Sequence, residues 1–295
     1  MPTRIRLTPR GPFSLRAAAG FLAGRPPAAR GGAGGDGGLR LALGPDGSMD
    51  AVAVALREEP DGTVIGSLTG AADPEAARRR VARVLSLDID GTGYPAVGRR
   101  DRLVGELMAG FPGLRPVLFP SPYEAGVWAI LSQRTRHAQS VATRSRIVAA
   151  LGGALTLEGV EMPVFPSPER LAGLAPGRGL TPERVERLRE LARAAADGRL
   201  DADHLRSLPA EEALRELREL PGVGPYSAGL ILVRGAGAPD VLPLAEPRVR
   251  EAVGEACGLA GPPDETTFAR MAESWRPFRA WVALLVRAAT MAPRG

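Results

Sequence analysis

Lysine is absent from the sequence, and all 38 basic residues are arginine. With 33 acidic residues the formal net charge is +5, which would suit a polyanionic partner but is also common in ordinary soluble proteins. A reaction that proceeds through a Schiff base needs an amine, and without lysine only the amino terminus could supply one. Catalysis by a side-chain amine is therefore excluded.

Cysteine and histidine are almost as scarce. Cys257 alone can form neither an intrachain disulfide nor a cysteine-ligated iron–sulfur cluster. His137 and His204 do not have a metal-ligand spacing, and we interpret them as surface or internally satisfied histidines. No apolar run reaches membrane-spanning length and no secretory leader is visible. We expect a cytoplasmic protein with no metal, no cofactor and no membrane contact.

The N-terminal part of the chain has loop and strand patterns. Pro26 to Gly38 is rich in Gly, Ala, Pro and Arg and predicts a flexible loop. Ala51 to Leu56 and Thr63 to Leu68 predict two strands, because Pro60-Asp61-Gly62 between them is typical of a hairpin turn. Asp73, followed by proline, predicts the start of a helix. These patterns indicate a small antiparallel sheet with a helix packed on it.

That helix carries apolar and basic side chains on different faces. The apolar residues are expected to pack on the sheet, and the arginines to point outward. A solvated face is the simpler interpretation of the arginines, and a DNA contact is the alternative. The apolar set is Ala76, Val81, Val84 and Leu85, and the arginines are Arg78, Arg79, Arg80 and Arg83.

From Gly93 onward, apolar residues recur at helical spacing between short connections that contain Pro or Gly. We therefore predict an α+β protein with an N-terminal α/β domain at residues 1–92 and an all-helical domain at residues 93–295. The predicted helices are Arg102 to Ala109, Pro122 to Gln133, Ala138 to Leu151, Ser167 to Leu174, Thr181 to Ala196 and Pro209 to Leu220.

One stretch has the pattern of a tight hairpin between two helices: Leu220-Pro221-Gly222-Val223-Gly224-Pro225-Tyr226-Ser227-Ala228. Two glycines one residue apart allow a turn whose backbone can approach another surface closely. The second helix begins just after them with free amide N–H groups, which can bind a phosphate. We predict a contact with a nucleic-acid backbone through Gly222, Val223 and Gly224, with the Ser227 hydroxyl as a further donor. The alternative is an ordinary helix junction.

This hairpin resembles the helix-hairpin-helix of the DNA glycosylase superfamily, and within it the bacterial 3-methyladenine DNA glycosylase II type. Two more segments carry the resemblance, Tyr123-Glu124-Ala125-Gly126-Val127-Trp128-Ala129-Ile130-Leu131-Ser132-Gln133 and Ala272-Glu273-Ser274-Trp275-Arg276-Pro277-Phe278-Arg279. The resemblance implies a helix-hairpin-helix glycosylase domain that excises alkylated bases from double-stranded DNA. Because bifunctional members of the superfamily use a lysine amine, the absence of lysine predicts a monofunctional enzyme.

The acidic residue after the hairpin is Glu246, in the segment Leu244-Ala245-Glu246-Pro247-Arg248. The resemblance implies that this position holds the catalytic carboxylate, which is an aspartate in the family. The following proline suits the first position of a helix, where the helix dipole favours a negative charge. A fixed carboxylate there could stabilise the positive charge that develops on the deoxyribose, or orient the attacking water. The alternatives are that Glu246 only begins the helix, or that its extra length alters or abolishes the activity.

The resemblance also implies which residues would flip and bind the base. Gln133 and Arg134 lie in the segment where the family carries its wedge, although an apolar residue usually stands at the position of Arg134. Tyr226 and Trp281 could present aromatic faces to a base, with the protein core as the alternative for both. Arg287 stands where the family has a pocket tryptophan, and its charge would repel a cationic base.

The sequence therefore predicts a monofunctional base-excision DNA glycosylase of the alkylbase type. Its expected partner is duplex DNA that contains a damaged base, and we expect a nucleoid-associated monomer. The alternative is a DNA-binding or lesion-sensing protein that keeps the fold without base excision. Glutamate in place of aspartate, and arginine at the wedge and pocket positions, favour that alternative.

Overall fold

The computed structural model describes residues 3–23, 38–47, 50–70, 73–177 and 179–291. The predicted turn between the two strand patterns is confirmed: Gly62 has a φ of 80°, and the Glu59 N–H donates to the Thr63 carbonyl at 2.8 Å. The predicted loop at Pro26 to Gly38 lies outside the described residues, apart from Gly38 itself. The first elements are β1 (Thr3–Leu7), α1 (Leu15–Ala23), β2 (Leu39–Leu43), β3 (Val52–Glu58) and β4 (Val64–Thr69), whose strands form an antiparallel sheet in the order β1-β4-β3-β2.

The helix that follows the sheet, α2 (Pro74–Val84), begins where the sequence predicts. The Asp73 side chain accepts hydrogen bonds from the amides of Glu75 and Ala76, so it satisfies two N–H groups that have no partner within the helix. Asp73 therefore fixes the point at which the chain leaves the sheet.

Two of the four arginines of α2 contradict the predicted outward orientation. Arg80 and Arg83 are only 5% and 6% exposed. Both donate to the Pro120 carbonyl, Arg83 also donates to the Gly235 carbonyl, and Arg80 forms an ion pair with Asp46 at 3.3 Å. Burial lowers the pKa of Arg83 to about 10, which leaves the guanidinium charged at neutral pH. These side chains turn inward because each can satisfy several backbone carbonyls at once, and they tie α2 to the helical part of the chain.

Helices dominate the chain from Tyr94 onward, and all six predicted helices form with ends within a few residues of the predicted ones. None of the helices in the described part of the chain is long and apolar enough to cross a membrane. The helices are α3 (Tyr94–Arg100), α4 (Arg102–Gly110), α5 (Pro122–Ser132), α6 (His137–Leu151), α7 (Pro168–Ala172), α8 (Pro182–Ala196), α9 (Ala202–Ser207), α10 (Ala210–Arg218), α11 (Pro225–Leu230), which continues into a π-helical segment (Ile231–Ala236), α12 (Pro247–Ala256), α13 (Glu265–Met271), with a 3₁₀ turn after it (Ala272–Trp275), and α14 (Arg279–Met291).

The prediction that this part of the chain is all-helical is wrong at one place. The strands β5 (Gly153–Leu157) and β6 (Val160–Val164) form an antiparallel hairpin between α6 and α7. Glu158 and Gly159 in its turn both have positive φ, 50° and 78°, as a two-residue type I′ turn requires. The hairpin covers part of the face of the four-stranded sheet that is turned away from α1 and α2. The contact is made by Leu157, Met162 and Val164 against Ala42 and Ala53.

Two groups of buried side chains make up most of the core. The first joins the inner face of the sheet and α2 to the helices around α5 and α8. The second is rich in aromatic residues and lies among α3, α12 and α14. Trp275 and Phe278 are buried in the second group, whereas Trp128 is only partly buried against the first.

Trp281 belongs to this second group and not to an open pocket. It is 2% exposed, its ring packs edge-on against Tyr94 with 5.1 Å between centroids, and the Arg115 guanidinium carbon lies 5.2 Å from its ring centroid. No face of the indole is open to a base. Trp281 is therefore a core residue, and its prediction as a base-pocket residue is wrong.

Candidate active site

The predicted hairpin connects α10 to α11. Gly222 has a φ of 82°, in the left-handed region that favours glycine. A Cβ atom on Gly222 would lie 2.6 Å from Cδ of Arg187, whereas a Cβ on Gly224, the N-cap of α11, would meet nothing within 4 Å. The turn is thus packed against α8 on one side and open to solvent on the other. The open side presents backbone at a helix N-terminus, which is the arrangement that a phosphate contact requires.

Glu246 faces this hairpin. It is the N-cap residue of α12, and Pro247 is the first helical residue, as predicted. Its carboxylate accepts no hydrogen bond from the amides of its own helix. Instead, the carboxylate lies near the Tyr226 hydroxyl at the start of α11, and its negative charge raises the pKa of that hydroxyl. This geometry argues against the alternative that Glu246 serves only to begin the helix.

Two arginines lie near the Tyr226–Glu246 pair. Partial burial, and then the charge and hydrogen bond of Glu246, raise the pKa of Tyr226 to about 12, while the positive charges of Arg287 and Arg248 act in the opposite direction. The hydroxyl therefore keeps its proton throughout the neutral range. Tyr226 is 43% exposed, so the core alternative does not hold for this residue.

The predicted wedge segment lies beside the hairpin. Gln133 follows α5, and its Nε2 donates to the Gly222 carbonyl at 2.6 Å. Arg134 is exposed and has a φ of 50°, a conformation that costs energy for a residue with a Cβ atom. The chain thus uses a strained turn to present Arg134 at the surface next to the hairpin.

Two arginines of α8, which the sequence patterns did not single out, hold this strained turn. Arg184 donates to the Gln133 carbonyl at 2.8 Å and to the Thr135 hydroxyl at 3.2 Å. Arg187 donates to Oε1 of Gln133 at 3.3 Å, while its aliphatic stem packs on Gly222. In the sequence both look like solvent-facing arginines of an amphipathic helix. Only the fold reveals that they connect the wedge segment to the hairpin.

The hairpin places Val223 and Ser227 inward. Both side chains are buried. Val223 packs into the first core group from the hairpin itself, and α11 turns Ser227 inward to 4% exposed. Val223 can still offer its backbone to a ligand, as predicted, but the Ser227 hydroxyl is largely shielded and its predicted phosphate contact is corrected. His137 and His204 are exposed, and the part of the chain that the structure describes contains no cluster of side chains suited to a metal ion.

The structure therefore brings most of the predicted site residues together around the hairpin. Ser227 and Trp281 are the exceptions, because both side chains are buried. The residues that meet there are Gly222, Val223 through its backbone, Gly224, Tyr226, Glu246, Arg287, Gln133 and Arg134.

Curated relatives share the sequence of this chain in part, although no family model matches it. It is 29% identical over 162 residues to the DNA-3-methyladenine glycosylase of Bacillus subtilis, and the alignment covers 54% of each protein. It is 28% identical over 230 residues to the DNA-3-methyladenine glycosylase 2 of Escherichia coli, which covers 72% of this chain and 77% of that protein. The chain thus spans about half the length of the Bacillus relative.

A solved structure shares the whole fold. The chain superposes on the 3-methyladenine DNA-glycosylase of Archaeoglobus fulgidus with a TM-score of 0.79, at 22% identity and with 96% of both chains covered. This likeness confirms the predicted fold class, a small antiparallel sheet followed by a mostly helical region. Together with the curated relatives, it confirms the resemblance to the helix-hairpin-helix superfamily.

Proposed function

We propose that this chain, which has the fold of the helix-hairpin-helix DNA glycosylases, is a monofunctional enzyme that removes alkylated bases from duplex DNA. The observation that carries the proposal is that the Glu246 carboxylate acts on the Tyr226 hydroxyl at the start of α11, the helix that follows the hairpin. The carboxylate makes no capping hydrogen bond to its own helix, so it is available beside the hairpin that would hold the damaged strand. The relatives that bear the name DNA-3-methyladenine glycosylase support the alkylated-base class.

The chemistry requires a negative charge beside the sugar. As the C1′–N bond breaks, positive charge develops on the deoxyribose, and a carboxylate held nearby stabilises it. Glu246 would supply this charge and could accept the proton of the attacking water. Glutamate has one more rotatable bond than aspartate, and a hydrogen bond from the nearby Tyr226 hydroxyl would offset that freedom once DNA is bound.

The backbone of the protein hairpin would hold the DNA strand, without side chains that recognise the bases. The open side of the hairpin at Gly224 would bind a phosphate, which sets the register without reading the sequence. Arg134 would enter the gap that the flipped base leaves, where its planar guanidinium can stack on neighbouring bases.

Water is the nucleophile in this proposal. Strand cleavage through a Schiff base needs an amine, and the sequence has no lysine. The expected product is therefore an intact strand that contains an abasic site.

An end-labelled duplex with a single alkylated base tests the proposal. We expect strand breaks only after treatment with hot alkali, because alkali cleaves the abasic site that a monofunctional enzyme leaves. Breaks that form without alkali, together with covalent trapping by borohydride, would contradict the monofunctional assignment. Tight binding with no breaks on a panel of cationic and neutral alkylated lesions would contradict base excision and support the lesion-sensing alternative.

Replacing Gln133 with glutamate is expected to lower the single-turnover rate of excision by about 10-fold. The change removes the amide donor to the Gly222 carbonyl and places two acceptors against each other, a loss of about 1–2 kcal/mol. The fluorescence of 2-aminopurine placed beside the lesion measures base unstacking and should fall as well. Gln139→Glu, on the exposed side of α6, is the matched control. Normal unstacking by Gln133→Glu would contradict a link between the wedge segment and the hairpin.

A further inference from the structure

A second basic surface lies on the outer face of the N-terminal sheet, the face turned away from α1 and α2. The β5–β6 hairpin covers only part of this face. We propose that the uncovered part binds single-stranded nucleic acid, with phosphates on its arginines and a base in the depression between them. None of the residues that line the depression belongs to the site around Glu246, so this surface would act in addition to the proposed function.

Strand register brings four arginines onto the outer face in two neighbouring rows. Across the strands, the rows are Arg4, Ser67, Ala55 and Arg40, and then Arg6, Ile65 and Arg57. An arginine thus stands at each end of a row, and smaller side chains lie between. Adjacent strands are about 4.8 Å apart, so two or three strand spacings, roughly 10 to 14 Å, separate the arginines of one row.

Acidic residues are absent from the strand positions of the outer face within the described residues of β1 to β4. Glu58 is the acidic residue within these strands, and it serves the other face, where its Oε2 accepts a hydrogen bond from the Leu15 amide at 2.9 Å. A solvated sheet face usually sets opposite charges across from each other, because like charges on neighbouring strands repel. An excess of arginine on one face therefore favours an anionic ligand over simple solvation.

The arginines keep much of their binding capacity. The Arg4 guanidinium is exposed and, among the described residues, has neither a hydrogen bond nor an ion pair. Arg6 and Arg57 each pair with one acidic residue of the β3–β4 turn, Asp61 at 3.4 Å and Glu59 at 3.2 Å. Both pairs are exposed, and exposed pairs contribute only about 0–1 kcal/mol, so a phosphate can replace either carboxylate.

The space between the arginines is a depression of about 450 Å³. Ser67 and Ala55 lie at the middle of the first row, and their short side chains leave this space open. Ile65 adds an apolar surface in the second row. At one end, the turn of the β5–β6 hairpin closes the depression, where Arg40 donates to Glu158 at 2.8 Å. A volume of this size holds one small ligand, such as a single nucleotide.

These side chains suit an unpaired nucleotide. A guanidinium can bind a phosphate through two donors, and its plane can stack on a base. Ile65 can contact the face of a base, and the Ser67 hydroxyl can bond to its edge. A base that is paired and stacked in a duplex cannot enter a depression, whereas the bases of a single strand are free to do so.

The test measures binding of a fluorescently labelled single strand of mixed sequence to the whole chain by anisotropy. An excess of unlabelled short duplex with an abasic-site analogue occupies the hairpin, and we expect the wild type still to bind the single strand. Arg4→Gln combined with Arg57→Gln should raise the dissociation constant about 10-fold and reduce the slope of its salt dependence by about 1.4. The excision rate on a short duplex should not change.

A matched pair of variants controls for net charge. Arg16→Gln combined with Arg79→Gln removes the same charge from exposed positions of α1 and α2, on the opposite side of the sheet, and should leave the dissociation constant within about twofold. An equal loss in both pairs, or no loss in the first, would overturn the proposal. Loss of wild-type binding when the excess duplex is added would also overturn it, because the single strand would then bind where the duplex does.

Discussion

Replacing Glu246 with glutamine is expected to reduce the single-turnover rate of base excision by about 10²- to 10³-fold, the usual cost of losing one fixed group that stabilises transition-state charge. Glutamine has nearly the same shape as glutamate, and its carbonyl oxygen is still an acceptor near the Tyr226 hydroxyl. The substitution therefore removes the negative charge and little else. Gel analysis of alkali-treated product under enzyme excess gives the rate.

DNA binding should respond differently, because the hairpin and not Glu246 is expected to hold the strand. Fluorescence anisotropy with a duplex that contains an abasic-site analogue should give dissociation constants for wild type and Glu246→Gln within about threefold of each other. Glu251→Gln, which removes a charge from the exposed face of the same helix, should keep both rate and affinity. A Glu246→Gln enzyme that retains a third or more of the wild-type rate would exclude Glu246 as the catalytic carboxylate.

The shorter Glu246→Asp variant tests whether this site is built for glutamate. Aspartate is the residue that the family resemblance implies at this position, so it would be expected to act well if the surrounding groups matched those of the family. Here the carboxylate of the longer side chain lies near the Tyr226 hydroxyl, and shortening the side chain draws it back by about one carbon–carbon bond. We therefore expect Glu246→Asp to be about 10-fold slower than wild type. A faster variant would show that the site is not built for glutamate.

Elements encoded by local patterns could be predicted from the sequence. Asp73 caps α2, Pro247 begins α12, and the glycines at 222 and 224 form the hairpin, because a cap or turn depends on a few neighbouring residues. The β5–β6 hairpin is not predicted by its local pattern, although Gly159 in its turn has the positive φ that glycine favours. Its strands are short, and they are stable only because they pack on a sheet formed by distant residues.

The buried arginines could not be predicted in this way. Helical spacing shows on which face of α2 Arg80 and Arg83 lie, but the Pro120 and Gly235 carbonyls that they bind come from remote parts of the chain. The same reason explains why the links from Arg184 and Arg187 to Gln133 were missed. From the sequence alone, a long cationic side chain is expected to face solvent. Only the fold shows whether distant backbone acceptors lie close to it.

The sequence pattern of the hairpin and the resemblance to the glycosylase superfamily together predict the candidate site. The place of Glu246 after the hairpin predicts it as the carboxylate, and the structure adds a neighbour, Tyr226, that spacing alone cannot reveal. Tyr226 and Trp281 were equivalent as pocket candidates in the sequence. They differ in the structure because Trp281 faces the aromatic core from a buried stretch of α14, whereas Tyr226 lies at the exposed start of α11.

The largest expected effect on stability comes from a buried ion pair beside the sheet. Arg144 of α6 donates to the Glu124 carboxylate of α5 at 2.8 Å, and both side chains are buried. Replacing Arg144 with methionine is expected to lower the free energy of unfolding at pH 7 by about 3–5 kcal/mol, because it leaves a buried carboxylate without its partner. Chemical denaturation with urea measures this difference.

The pH dependence of the unfolding free energy shows whether the unpaired Glu124 carboxylate causes the destabilisation in Arg144→Met. Burial raises the pKa of Glu124 above its ordinary value even with Arg144 present, and one of its oxygens, Oε1, has no hydrogen-bond partner. A carboxyl group whose pKa is higher in the folded state stabilises the fold while it is protonated, and this contribution is lost as the pH rises through that pKa. Removing Arg144 raises the folded-state pKa further, so the cost of Arg144→Met should be largest near neutral pH and shrink toward pH 5.

A double variant distinguishes destabilisation by the unpaired charge from destabilisation by lost packing. Glu124→Gln combined with Arg144→Met removes both charges, so it should be more stable at pH 7 than Arg144→Met alone and should lose most of the pH dependence. Arg102→Met breaks an exposed pair with Glu106 and should cause no measurable change. If Arg144→Met is equally destabilising at pH 5 and pH 7, and the double variant is no better, then Arg144 stabilises the fold through its packing on Phe165 and not through its charge.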